Sequence, residues 1–314
     1  MMHFDGDIGS FDYDEKLFKV DDDGSSLRYI GSDPKVVLPK GVTSCNRMFE
    51  WYENSDTLDL SEFDTSEITD MSYMFYGSDM IKSLDVSKFD TSKVTNMAHM
   101  FDGLIVVKEL DVSKFNTANV TNMSHMFANC ANLKSIDVSS FDTSKVEDFS
   151  CMFANDSNAE VINVSGINTA SAENIESMFA LCSSVKELDV KDFNLSKVED
   201  MSNLFTGCAK VKTLDVGAFD TSSVKDMQAV FKGCKSLESL MIDNFKTDKV
   251  EYIDACFAFC TSLKELHIKG FKTNSIDIRK NIFEGCHKLR DVYIDADECR
   301  NVIPSLPKKA AICK

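Results

Sequence analysis

The chain has 314 residues, 43% apolar and 27% charged, an ordinary composition for a water-soluble protein. Its 51 acidic residues against 34 basic leave a formal charge of −17, which repels nucleic acid and anionic lipid and favours basic partners. No stretch approaches the roughly 18 apolar residues of a membrane span, so membrane insertion is not expected.

Residues 1–34 are irregular in pattern. Apolar runs at 11–20 and 27–30 flank the turn-forming segment Asp21-Asp22-Asp23-Gly24-Ser25-Ser26, which predicts a β-hairpin serving as an N-terminal cap. The aspartates do not make an EF-hand loop, because Ser32 stands where that loop closes with Glu. Residues 35–57 form a partial first unit, in which Val42, Cys45, Met48 and Phe49 anticipate Val94, Met97, Met100 and Phe101.

From 58 to 295 one pattern recurs. LDVSKFDTSKVTNMAHMF at 84–101 returns as LDVSKFNTANVTNMSHMF at 110–127, an offset of 26 residues. The same offset carries Leu, Ile or Val from Leu58 through Leu84, Leu110 and Ile136 to Val292, and Phe from Phe49 to Phe283. Such a period marks a solenoid, in which each coil buries its apolar edge only against its neighbours. All four prolines, Pro34, Pro39, Pro304 and Pro307, lie outside the full repeats, where a missing N–H would break a ladder. Residues 296–314 lose the pattern and form a C-terminal cap.

Inside one unit the period changes. Ser83-Leu84-Asp85-Val86-Ser87 alternates, which predicts a short strand with Leu84 and Val86 inward. Asp90, Thr91 and Ser92 supply turn oxygens. Val94, Met97 and Phe101 then step by three and four, which predicts a short helix or 3₁₀ turn closed by Gly103. The fold class is therefore α/β: a leucine-rich-repeat solenoid with a parallel sheet of stacked short strands, short helices or 3₁₀ turns opposite, and both ends capped. A β-helix is the competitor, disfavoured by the scarcity of β-branched residues between Thr95 and Phe101.

The unit, with the following GC or NC pair and Leu, as in Phe231-Lys232-Gly233-Cys234-Lys235-Ser236-Leu237, resembles the 26-residue repeat of bacterial surface proteins, close to the BspA-like leucine-rich repeats. The resemblance covers residues 42 to 295. It implies a curved solenoid used for adhesion or protein recognition, often at the bacterial surface.

With Leu84 and Val86 inward, the alternate residues face out on the concave sheet side. One outward file reads Asp59, Asp85, Asp111, Asp137, Asn163, Asp189, Asp215, Met241, His267, Tyr293, with Lys269 beside its end. Stacked carboxylates raise one another's pKa, and a file of them attracts a basic peptide or divalent cations. The change to Met241, His267 and Tyr293 gives an amphipathic patch of the composition found in interface cores. These residues form the expected binding surface for a protein or peptide.

His99, His125 and Cys151 share another column, in which neighbouring copies would share a zinc or form a Cys-His pair. Tyr73, Ser177, Asn203, Ala229, Ala255 and Asn281 fill that column elsewhere, so no metal ligand is assigned there. No phosphate loop, GxSxG elbow or HExxH motif is present, and no catalytic residue or cofactor is expected. Six of the eleven cysteines, Cys130, Cys182, Cys208, Cys234, Cys260 and Cys286, stack in one column as free thiols. These thiols and an acidic start without an export signal predict a cytoplasmic location; the alternative is the bacterial surface, with leader or anchor lying outside this sequence. The expected role is a non-catalytic protein- or peptide-binding scaffold, with adhesion as one version; the alternatives are a cation- or glycan-binding surface module and a structural spacer.

Overall fold

A computed structural model describes residues 1–276, 278 and 281–313. The chain opens with two antiparallel hairpins, β1 (Met2–Gly6) with β2 (Gly9–Tyr13), and β3 (Phe18–Val20) with β4 (Leu27–Tyr29). The first hairpin joins the repeats through an antiparallel bridge between Gly9 and Val42, and the second through Tyr29 N–H to the Met48 carbonyl at 2.8 Å. The Asp-rich turn is closed by its own serines: Asp21 accepts from the Ser26 amide at 3.0 Å and from the hydroxyls of Ser25 and Ser26.

The repeats then stack in register as a solenoid. Along the outward file, regular parallel pairs join β5 (Ser135–Asp137) to β6 (Val161–Asn163), and β7 (Ser239–Met241), β8 (Glu265–His267) and β9 (Asp291–Tyr293) in sequence. After a single 3₁₀ turn, Ile303–Ser305, β10 (Ala311–Cys313) adds to β9 in parallel, giving the order β10-β9-β8-β7. Side chains of neighbouring strands also meet in these pairs. Asn163 donates to Asp137 at 3.0 Å, and the His267 ring covers that of Tyr293. Between Asp85 and Asp111, or Asp189 and Asp215, no regular pair forms among the described residues, and the same holds between Asn163 and Asp189.

The most continuous ladder runs elsewhere. Parallel bridges link Ser44, Asp70, Asn96, Asn122, Asp148, Asn174, Asp200, Asp226 and Tyr252. Beyond each of these the chain makes successive turns, and no α-helix occurs among the described residues. In one coil Met74 N–H bonds the Met71 carbonyl, Tyr76 that of Tyr73, and Ser78 that of Phe75, at 3.1–3.3 Å. Tyr73 and Gly77 have φ of 56° and 65°, as the third residue of a type II turn requires. The remaining donors point along the solenoid: Met71, Tyr73, Phe75 and Gly77 give their N–H groups to Asn96, Ala98, Met100 and Asp102 of the next coil, at 2.8–3.0 Å. Neither the short helix nor the 3₁₀ turn expected on this side occurs in the described repeats; the chain makes successive turns with αL residues instead. Steps of three and four point Val94, Met97 and Phe101 inward in either case, so the apolar pattern alone does not separate them.

The core is a set of stacked columns. Phe127, Phe153 and Phe179 are fully buried with ring centroids 5.9 and 5.6 Å apart and nearly parallel planes. Cys182, Cys208 and Cys234 donate their thiols to the carbonyls of Phe153, Phe179 and Phe205 at 3.0–3.3 Å. Burial pushes the Cys234 thiol up to about 12. Threonines make a third column: buried Thr91, Thr117 and Thr143 donate to the carbonyls of Asn116, Asp142 and Asn168, each at 3.0 Å. Among the described residues no helix is long and apolar enough to cross a membrane.

Candidate functional site

The outward file begins as a row of self-satisfied turns. Asp59, Asp85, Asp111 and Asp137 are exposed, and each accepts the amide of the serine two residues on, at 2.9–3.0 Å. Hydrogen bonds from those serines hold all four carboxyls below the usual range. This reverses the expected upward shift. The distance between coils lets water screen the repulsion, while the turn donors sit in contact. Asp189 is lowered by the Lys191 ammonium at 2.7 Å, and Asp215 accepts the Gly217 amide at 3.3 Å. One oxygen of nearly every aspartate is thus committed to its own backbone.

At its end the file changes character. Met241 is 65% exposed on β7. Next to it the imidazole of His267 lies flat against the Tyr293 ring, centroids 4.0 Å apart and planes 11° from parallel. Lys269 places its ammonium 5.8 Å from the centre of that ring, within cation–π range. Glu265 lies 2.8 Å from His267 Nε2, and Asp243 3.7 Å from Nδ1. The structure therefore brings Met241, His267 and Tyr293 together on the four-stranded sheet, with Lys269 in the turn just past β8, and keeps them apart from Asp59 and Asp85 at the far end of the file.

A second constellation lies on the turn side. His99 and His125 stack with centroids 4.2 Å apart, and Tyr73 covers the other face of His99 at 4.4 Å. His99 Nδ1 is 2.8 Å from Oδ2 of the buried Asp102, and His125 Nδ1 is 4.0 Å from the same oxygen. Asn129 Nδ2 donates to Oδ1 of that carboxylate at 2.7 Å. Burial, then the neighbouring His99, lowers the pKa of His125, which keeps its imidazole neutral near pH 7. Cys151 does not join this group; burial, then Glu176, push its thiol up to about 11. Asp102 is the residue that sequence reasoning passed over. The signal was legible: among the acids of its column, Glu50, Asp102 and Glu284, only Asp102 is followed by a run of small residues, Ala128, Ala154 and Ala180, and has His125 in the neighbouring column of the next coil.

Stacked parallel coils carrying aligned columns of side chains define a solenoid repeat protein. Three overlapping stretches, 43–162, 95–213 and 201–303, match the family described as "Mycoplasma protein of unknown function, DUF285", and the chain belongs to that family. No curated protein matches the chain. Among solved structures it is similar to a leucine-rich cell surface protein from Faecalibacterium prausnitzii A2-165, with 14% identity, 99% of each chain covered and a TM-score of 0.33. It is also similar to the functional domain of InlJ from Listeria monocytogenes, described as including a cysteine ladder. That match has 13% identity, covers 91% of this chain and 70% of that one, and has a TM-score of 0.19.

Proposed function

We propose that the chain is a non-catalytic scaffold that binds a protein or peptide through the outer face of β7, β8 and β9. One observation carries this reading: an exposed methionine adjoins a stacked His267–Tyr293 pair on the regular four-stranded sheet. Flat aromatic surface with an unburied thioether supplies contact area at low entropic cost. Glu265, Asp243 and Asp291 around it favour a ligand with basic residues flanking an apolar anchor. The aspartates farther along the file attract such a ligand at long range. Cation binding by that file is the weaker reading, because its carboxylates already accept bonds from their own turns. Adhesion is the version of this role that the resemblance to BspA-like repeats supports.

The test is selection of peptides from a random library on the intact protein, then titration against two variants. Met241→Ser with Tyr293→Ser removes the anchor surface while leaving Leu240, Leu266 and Val292 inside. Affinity falls about 10-fold or more in this variant. Asp85→Ser with Asp111→Ser changes mainly the salt dependence. Selected peptides that bind the first variant as tightly as the unmodified chain would defeat the proposal.

A further inference from the structure

We infer that His99, Asp102 and His125 form a binding site for one divalent transition-metal ion of the zinc class, clipping two successive coils together. The three donor atoms lie within 4.8 Å of one another. Ligands about 2.0–2.1 Å from a tetrahedral ion stand about 3.3 Å apart. The separations to Asp102 Oδ2, 2.8 Å for His99 and 4.0 Å for His125, bracket that value. Binding one ion through both rings turns His125 out of its stack on His99, where the planes lie 11° apart, and toward the carboxylate.

The surroundings are those of a held site. The Asp102 side chain is 6% exposed, and the Asn129 amide engages its other oxygen, the arrangement that orients a ligating carboxylate. Tyr73 stacks on His99 and Tyr76 meets it edge-on at 5.9 Å, which limits where that ring can turn. The imidazoles have side-chain exposures of 20% and 34%, leaving the outer side open for water or a fourth ligand.

The same two columns show a different solution two coils earlier. There buried Glu50 is paired by the fixed cations Arg28 and Arg47, at 3.1 and 3.0 Å. Asp102 instead faces two imidazoles, each of which offers a ring nitrogen toward the carboxylate. Two nitrogens and one carboxylate oxygen suit zinc, cobalt or nickel. Calcium and magnesium demand six or more oxygens and are not accommodated.

The experiment is titration of the full chain with Co²⁺, read by visible d–d absorption, with Zn²⁺ displacing it in calorimetry. One ion per chain is expected, with Ca²⁺ failing to compete. His125→Asn and Asp102→Asn each weaken binding roughly 10- to 100-fold or more. Asparagine is chosen because Asn203 holds the same column at φ 57°, so the backbone is preserved. Circular dichroism of each variant checks that it folds. Cys151→Ala leaves affinity unchanged. Absence of a d–d band, competition by Ca²⁺, or equal affinity in His125→Asn would overturn the site, and weaker binding in Cys151→Ala would overturn this ligand set.

Discussion

The hydroxyl of Thr143 bonds Asn168 twice, donating to its carbonyl at 3.0 Å and accepting its N–H at 2.7 Å. Thr143 itself is 0% exposed. The pair recurs between Thr91 and Asn116, and between Thr169 and Asn194. Replacing Thr143 by Val keeps the volume and strands the Asn168 amide and carbonyl. The variant is expected to lose about 1–3 kcal/mol in urea denaturation. Thr143→Ser, which keeps the hydroxyl, is expected to lose less.

Asp156 stands in the cysteine column, between Cys130 and Cys182. Its Oδ1 accepts the Cys130 amide at 2.8 Å and its Oδ2 has no hydrogen-bond partner. Burial raises its pKa well above the usual value, and the charge of Asp102 adds to this. The folded state thus keeps a proton that the unfolded chain releases above about pH 3.9. The stability it allows is complete below that pH and is lost as pH rises toward the folded value. Asp156→Cys restores the column residue, and the Cys130 amide keeps its bond to the Phe127 carbonyl. The variant is expected to gain about 1–3 kcal/mol at neutral pH. The gain should shrink toward pH 4, as followed by denaturation across pH.

Large side chains in the glycine column lie over the glycine of the next coil. A methyl group on Gly207 would come within 2.9 Å of Leu181 Cδ2, and Gly207 itself holds φ at 75°. Gly207→Ala is expected to lower the melting temperature by the equivalent of about 1–3 kcal/mol. Combining it with Leu181→Asn removes the clash while keeping a residue tolerant of positive φ. Part of the loss should return.

The inward column is not uniform. Leu266 is fully buried beneath β8, whereas Leu110 is only half-buried. An unpaired charge costs in proportion to its isolation from water, so Leu266→Asp should destabilise by several kcal/mol and Leu110→Asp by clearly less. Equal losses in chemical denaturation would contradict this ranking.

The inward columns and the coil-by-coil stacking were legible because a strict 26-residue offset leaves only neighbour-to-neighbour burial. The turns were harder. Met97 and Phe101 fall at helical spacing, yet the αL backbone at His99 and Gly103 breaks the helix and sends their amides to the next coil. The sign of the aspartate shifts was missed because it depends on Ser87 and Ser113 folding back onto Asp85 and Asp111. The juxtaposition of Asp102 with His125 spans two coils, and only stacking brings it together.

Most coil-to-coil bonds join residues 25 to 29 positions apart, from Thr143–Asn168 to Cys182–Phe153, so the joins of the shaft repeat from coil to coil. Slippage between near-identical stretches such as 84–101 and 110–127 would yield a longer or shorter gene product with each seam intact. Evolution can therefore adjust the length of such a molecule in fixed increments without redesigning either of its ends.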